Sequence, residues 1–264
     1  MPNPSPNLSQ GETVKVTLLS YTPEPERLVV AAALLCYQKG GPEEAWRRAG
    51  REDLRTRLFE ELIRQGHGST LEHPCFTFGI EGISRACSHQ LVRHRISSYN
   101  QQSQRYVDVG DPDYFVRPAS LAEDGGRFEE VVATTVGYYR ETVERFRAQG
   151  KKGEQAQEDA RYILPSAGKT NLIWTTNLRN LLHVCRVRLC SRAQWEIRQL
   201  MAECRRVMAE PFPLIAKYMV VKCHPRAMGY CDEEFRSCGF RPRREDVVPA
   251  DPGCPPGPGL PGEE

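Results

Sequence analysis

The spacing of apolar and polar positions assigns most elements of this chain. Val14 to Leu19 reads as a strand. Pro25 then opens a helix through Leu28, Val29, Ala32, Leu35 and Cys36, which Gly40-Gly41-Pro42 breaks. Leu54, Leu58, Leu62 and Ile63 recur at helical spacing between Glu52 and Gln65, and Gly66 stands where a C-terminal stop belongs. Phe76, Phe78 and Ile80 alternate with Thr77 and Gly79, predicting a strand with one aromatic face, and a short helix from Ile83 to Leu91 follows. Beyond a turn at Gly110-Asp111-Pro112, a long helix runs from Arg127 to Gln149, striped by Phe128, Val131, Val132, Val136, Tyr139, Val143 and Phe146. Glu154 to Leu164 forms another helix, stopped at Pro165-Ser166-Ala167-Gly168.

From Asn177 to Leu189 the pattern is again helical, with Leu178, Leu181, Leu182, Cys185 and Leu189 as the stripe. Asn177 and Arg188, eleven residues apart, flank it on one side, and Arg179 and His183 lie round the other, so one helix is expected to serve two polar surfaces. Ser191 is placed as N-cap of a helix from Arg192 to Glu210 that ends at Pro211, and a last helix spans Leu214 to Val221.

One stretch fits no apolar pattern. Arg93-His94-Arg95-Ile96-Ser97-Ser98-Tyr99-Asn100-Gln101-Gln102-Ser103-Gln104-Arg105-Tyr106 holds three cations, an imidazole and a run of hydroxyls and amides around one aliphatic side chain, so it must face something polar. Arginine forks suit phosphate, and Ser, Asn and Gln both donate and accept, an inventory that suits a phosphorylated heterocycle. If the segment around Ser103 is extended, Ser103 and Arg105 share one side and converge on an anion. A solvated basic loop is the plain alternative.

Composition narrows the classes. The 264 residues allow one large domain or two small ones, and a net charge of +2 is not the footprint of a protein that coats nucleic acid by charge. No run of about 18 apolar residues exists, as a membrane span would need, and Met-Pro-Asn-Pro-Ser-Pro does not read as a signal peptide, so a soluble, cytoplasmic protein with reduced cysteines is expected. Cys223, Cys231 and Cys238 near His224 suggest a metal site only loosely, without any Cys-x-x-Cys pair, and no metal is assigned. Residues 1–12 and 249–264 are expected to be disordered, framing a catalytic domain at 13–222 and a Cys-bearing extension at 223–248.

Arg-His-Arg-x-x-Ser-x-Asn-x-x-Ser-x-Arg, filled at all seven fixed positions by Arg93, His94, Arg95, Ser98, Asn100, Ser103 and Arg105, resembles the signature of the flavin-dependent thymidylate synthases. Gly66-His67-Gly68-Ser69-Thr70-Leu71-Glu72-His73 is similar to the His-x-Ser/Thr-x-x-Glu-His element that precedes it, and Ser191 to Arg198 also resembles the family. The resemblance covers about residues 14–221. It implies an α+β fold, a mainly antiparallel sheet with surrounding helices, assembled as a homotetramer. It implies FAD as cofactor, with NADPH and methylenetetrahydrofolate as co-substrates and dUMP as the nucleotide methylated to dTMP.

Carried over position by position, the resemblance puts the flavin on His67, Ser69, Arg93, His94, Arg95, Gln101, Asn177, Arg179 and His183. The nucleotide falls to Gln90, Gln101, Gln102, Ser103, Gln104, Arg105, Arg161 and Arg188. Arg188 is the expected polarising cation, and Ser103 is weighed as phosphate ligand above nucleophile because its nearest base in sequence, His94, is nine residues away. The absence of Gly-x-Gly-x-x-Gly after a strand requires a flavin site of non-Rossmann type. A nucleic-acid-binding module and a flavoprotein acting on another nucleotide are the competing readings.

Overall fold

The computed structural model describes residues 14–109, 111, 113–233 and 236–247. Both expected disordered termini lie outside them, as do Gly110 and Pro112 of the expected turn. The centre is a four-stranded antiparallel sheet of β1 (Lys15–Tyr21), β2 (Cys75–Ser84), β3 (Ser97–Gln101) and β4 (Lys169–Asn177), in the order β1-β2-β4-β3. An α+β class is therefore correct. β4 was not among the expected elements, yet it is the strand that joins the signature strand β3 to the rest. Its inward Thr170, Leu172, Trp174 and Thr176 are buried between outward Asn171, Ile173 and Thr175, a period-two pattern that a half-buried antiparallel strand requires.

The inner face carries Phe76, Phe78, Ile80, Leu172 and Trp174, all at most 4% exposed, with Tyr99 stacked on Trp174 at 6.5 Å and 4°. Helices cover this face: α1 (Pro25–Leu35), α2 (Pro42–Ala49), α3 (Glu52–Gln65), α7 (Leu178–Arg188) and α8 (Trp195–Ala209) contribute Val29, Val30, Phe59, Leu181, Cys185, Leu200 and Met201 to one continuous core. α2 is unexpected: Pro42, read as a breaker, occupies the first turn of a new helix, where its missing N–H costs nothing. A smaller apolar cluster lies between α5 (Arg127–Ala148) and α6 (Glu154–Ala160), around Tyr139, Val143 and Ala156.

Several boundaries move. Val131 is half exposed and falls off the α5 stripe. The helix expected to Leu164 leaves the α form after Ala160 and finishes as a 3-10 turn, Arg161–Ile163. Gln194, not Ser191, caps α8, because its Oε1 accepts from the backbone N–H of Glu196 and Ile197, both at 3.2 Å. The helix expected from Leu214 to Val221 is only α9 (Pro213–Ala216).

α4 (Arg85–Leu91), which leads into the signature, is fixed by a buried carboxylate. Glu196 of α8 accepts from Ser84 N at 2.6 Å and Ser84 Oγ at 2.5 Å, and Ser84 Oγ in turn caps Cys87 N at 3.0 Å. Among the described residues no helix is long and apolar enough to cross a membrane, and no group of three or more His, Cys, Asp or Glu is arranged to hold a metal ion.

Candidate functional site

The signature is divided by β3, and its two halves meet different partners. Before the strand, residues 92–96 form a loop tied down by Tyr99, whose hydroxyl donates to Leu91 O at 3.0 Å and His94 O at 2.8 Å. Ser97 Oγ accepts from Trp174 Nε1 and from Asn180 Nδ2, both at 2.9 Å, which pins the start of β3 to α7. Ser97 and Tyr99, neither of them a fixed position of the signature, thus hold its geometry.

In this first half Arg188 Nε donates to His94 Nε2 at 3.0 Å and Arg188 Nη2 to Gln90 O at 3.2 Å. His94 also meets His183 edge to face at 5.8 Å. An imidazole nitrogen that accepts from a guanidinium carries no proton, so His94 is neutral with its proton on Nδ1. Burial first, then the Arg188 and His183 charges, hold its pKa down at about 4. Arg188 and His183 were expected on separate surfaces; they meet through His94, a loop residue that touches both.

The 3-10 turn Gly68–Glu72 extends this polar face. Arg179 is ion-paired with Glu72 and packs closely over Gly68, where a Cβ would stand 2.8 Å from Arg179 Nε and displace that flexible side chain. His67 and Ser69 are exposed beside it, with His67 Nε2 2.8 Å from Gln65 Oε1. Asn177 caps α7 by accepting from Asn180 N at 2.9 Å. Arg93 and Arg95 are exposed and make no ion pair among the described residues.

The second half begins at Gln101, whose Nε2 donates to the buried hydroxyls of Ser88 at 2.9 Å and Thr170 at 3.2 Å. Gln102 accepts twice: its carbonyl from Arg85 Nη2 at 2.7 Å, its side chain from Tyr114 Oη at 2.9 Å. Ser103 and Arg105 are not on an extended segment, so the condition for their sharing one side of a strand is not met. β3 ends at Gln101, and 103–107 form a turn in which Tyr106 and Val107 N donate to Ser103 O, and Arg105 N donates to Ser103 Oγ at 3.2 Å. Ser103 has no imidazole or carboxylate partner among the described residues, which leaves a nucleophilic role without a base.

Arg105 Nη2 lies 3.0 Å from Glu158 and 3.7 Å from Glu154, while Arg161 Nε donates to Glu158 O at 3.2 Å. Arg85 is close enough to Arg161 for their charges to repel, and burial and that charge lower its pKa. The Nε atoms of Arg85 and Arg105 are both buried without a hydrogen-bond partner. Glu158 and Glu154 face Arg105, yet these two Nε donors stay unsatisfied, a shortage that an anion bound there would relieve. Gln104 lies against Gly168 at the rim. Arg85, Tyr114, Glu158, Gln194 and Glu72 were not among the expected site residues; Glu72 and Gln194 lie within the two stretches that resemble the family, and an arginine at the start of a short helix was the signal for Arg85.

Residues 17–214 match the family described as thymidylate synthase complementing protein. The chain belongs to this family. Similar proteins include the flavin-dependent thymidylate synthase of Geobacter sulfurreducens, 43% identical over 230 residues, covering 86% of this chain and 94% of that one. The flavin-dependent thymidylate synthase of Nitratidesulfovibrio vulgaris is 39% identical over 244 residues, 88% and 97% of the two chains. That of Pyrococcus furiosus is 40% identical over 249 residues, 91% and 93%. The matched span contains both halves of the site, from His67 to Arg188.

Proposed function

We propose that this chain methylates dUMP reductively to dTMP, with methylenetetrahydrofolate as one-carbon donor and FAD, reduced by NADPH, as hydride carrier. Family membership supports the reaction class, and the observation that carries the nucleotide site is the Arg85–Arg105–Arg161 group with its two orphaned Nε donors. Arg105, Ser103 and Arg161 bind the phosphate of dUMP, and Arg85 completes the charge from beneath Gln102. Gln90, Gln102 and Gln104 line the approach to it.

The residues around His94 fit a flavin. Arg93, Arg95 and Arg179 supply cations for its phosphates, exposed His67 and His183 supply planar surfaces, and Ser69, Asn177 and Gln101 supply polar groups. FAD, when held there, supplies hydride chemistry that no amino-acid side chain offers. Arg188, oriented by neutral His94 and Gln90 O, retains Nη1 to polarise the uracil and favour attack at C5.

The active assembly is a cytoplasmic homotetramer in which separate chains complete each site. Val92, Ile96 and Tyr106 support this: the signature and the residues on either side of it expose them, at 37%, 72% and 65%. The visible absorption spectrum of the purified protein is the test. A flavin band perturbed by dUMP, and lost or weakened in His67→Ala, is expected; a colourless protein with no FAD affinity overturns the reading. Oxidation of the reduced flavin that ignores dUMP points instead to another nucleotide.

A further inference from the structure

A second cationic cavity is lined by none of the residues placed in the flavin or nucleotide site, although Gly66, which lines it, directly precedes His67. It encloses about 910 Å³ between α3, α7 and the loop after α9, and Arg57, Arg64, Arg186 and Arg226 line it with Asp53, Glu60 and Glu61. Each of the three carboxylates is already neutralised: Asp53 by Arg51 at 3.1 Å, Glu60 by Lys217 at 2.5 Å, Glu61 by Arg64. Arg57, Arg186 and Arg226 make no ion pair among the described residues, and Arg186 Nε is buried with no hydrogen-bond partner. Three unneutralised guanidinium groups facing one cavity repel one another unless an anion bridges them.

The remaining wall is apolar and aromatic. Ile63, Tyr218, Pro225, Ala227 and Met228 form it, and Met228 is 39% exposed. A ligand that satisfies both parts carries several adjacent negative charges at one end and a flat, weakly polar ring at the other.

We propose that this cavity is a second binding site, for a nucleotide bearing a di- or triphosphate, with the phosphates on Arg57, Arg186 and Arg226 and the ring against Tyr218 and Met228. The site is backed onto the catalytic helix. Arg186 is two residues from Arg188 on α7, and its carbonyl accepts from Lys222 N at 3.0 Å, at the start of the loop that carries Arg226. Occupation therefore bears on the helix that presents His183 and Arg188.

ATP serves as the probe, titrated calorimetrically into FAD-loaded protein saturated with dUMP, so that both sites described above are filled. A binding component insensitive to dUMP is expected. In Arg57→Ala/Arg226→Ala, whose side chains are exposed and carry no packing, it weakens by at least about tenfold, the loss expected from two charge-assisted contacts, with dUMP affinity unchanged. Inorganic tripolyphosphate is expected to bind more weakly than ATP. The proposal is overturned if no dUMP-insensitive component exists, if it survives in the double variant, or if tripolyphosphate equals ATP. Failure to bind FAD or dUMP at all is read in the first titrations and bears on the proposed reaction, not on this cavity.

Discussion

Arg188 and His94 share one hydrogen bond across 94 residues of sequence, and burial together with that guanidinium keeps His94 neutral. Protonating His94 sets an imidazolium against a guanidinium in a half-buried position, so its folded pKa lies near 4 against 6.5 for the free side chain. Between those values the unfolded chain binds more protons than the folded one. The contribution of His94 to stability is thus complete above about pH 6.5 and is lost as pH falls through about 4. Thermal unfolding followed from pH 7.5 to 4 should show this loss. His94→Gln, which keeps an acceptor for Arg188 but cannot titrate, should flatten the profile in that window; an unchanged profile assigns the loss to other groups. The same residues show how much chemistry was legible in sequence. The resemblance named Arg93, His94 and Arg188 together, but spacing along a helix assigned His183 and Arg188 to different surfaces, since it carries no account of a loop residue, His94, that touches both.

At the scale of elements, α4 depends on Glu196. A buried carboxylate is tolerated here because Ser84 gives it two donors, and removing it orphans both of them at the N-terminus of the helix that carries Gln90. Glu196→Ala is expected to cost about 3 kcal/mol in denaturant unfolding, the range for stranding buried polar groups, and Glu196→Gln distinctly less because an acceptor stays in place. Equal losses in the two variants would mean that packing, not hydrogen bonding, fixes the helix start. Helices with uninterrupted stripes, α3, α5 and α7, could be read from their periodicity to within a residue or two. β4 could not be assigned so readily, because Lys169–Asn177 sits between a proline turn and a helix and half its positions are Thr or Asn. Its burial is set by β2 and β3 on either side, which local pattern does not report.

At the scale of the molecule, His67 of the flavin half and Arg105 of the phosphate half lie toward opposite ends of the sheet. His67 and Ser69 stand in the turn before β2, whose Cys75 pairs with Asn177 at one end of β4. Arg105 follows Gln101, which pairs with Leu172 nearer the other end. Five residues of strand put those ends about 17 Å apart, and the exposed Ile96 and Tyr106 offer an adjoining apolar surface. In the proposed tetramer, a second copy docked there would bring its own His67 to the first copy's Arg105. Sedimentation should then give about four times the 30.0 kDa chain mass, and Ile96→Asp should lower it. Complementation is the sharper test. His67→Ala and Arg105→Ala are each expected to be nearly inactive alone, but when co-expressed about a quarter of the sites in randomly mixed tetramers draw both native side chains, from two different chains, and that share of activity should return. If both residues of a site come from the same chain, no mixture contains a native site and no activity returns.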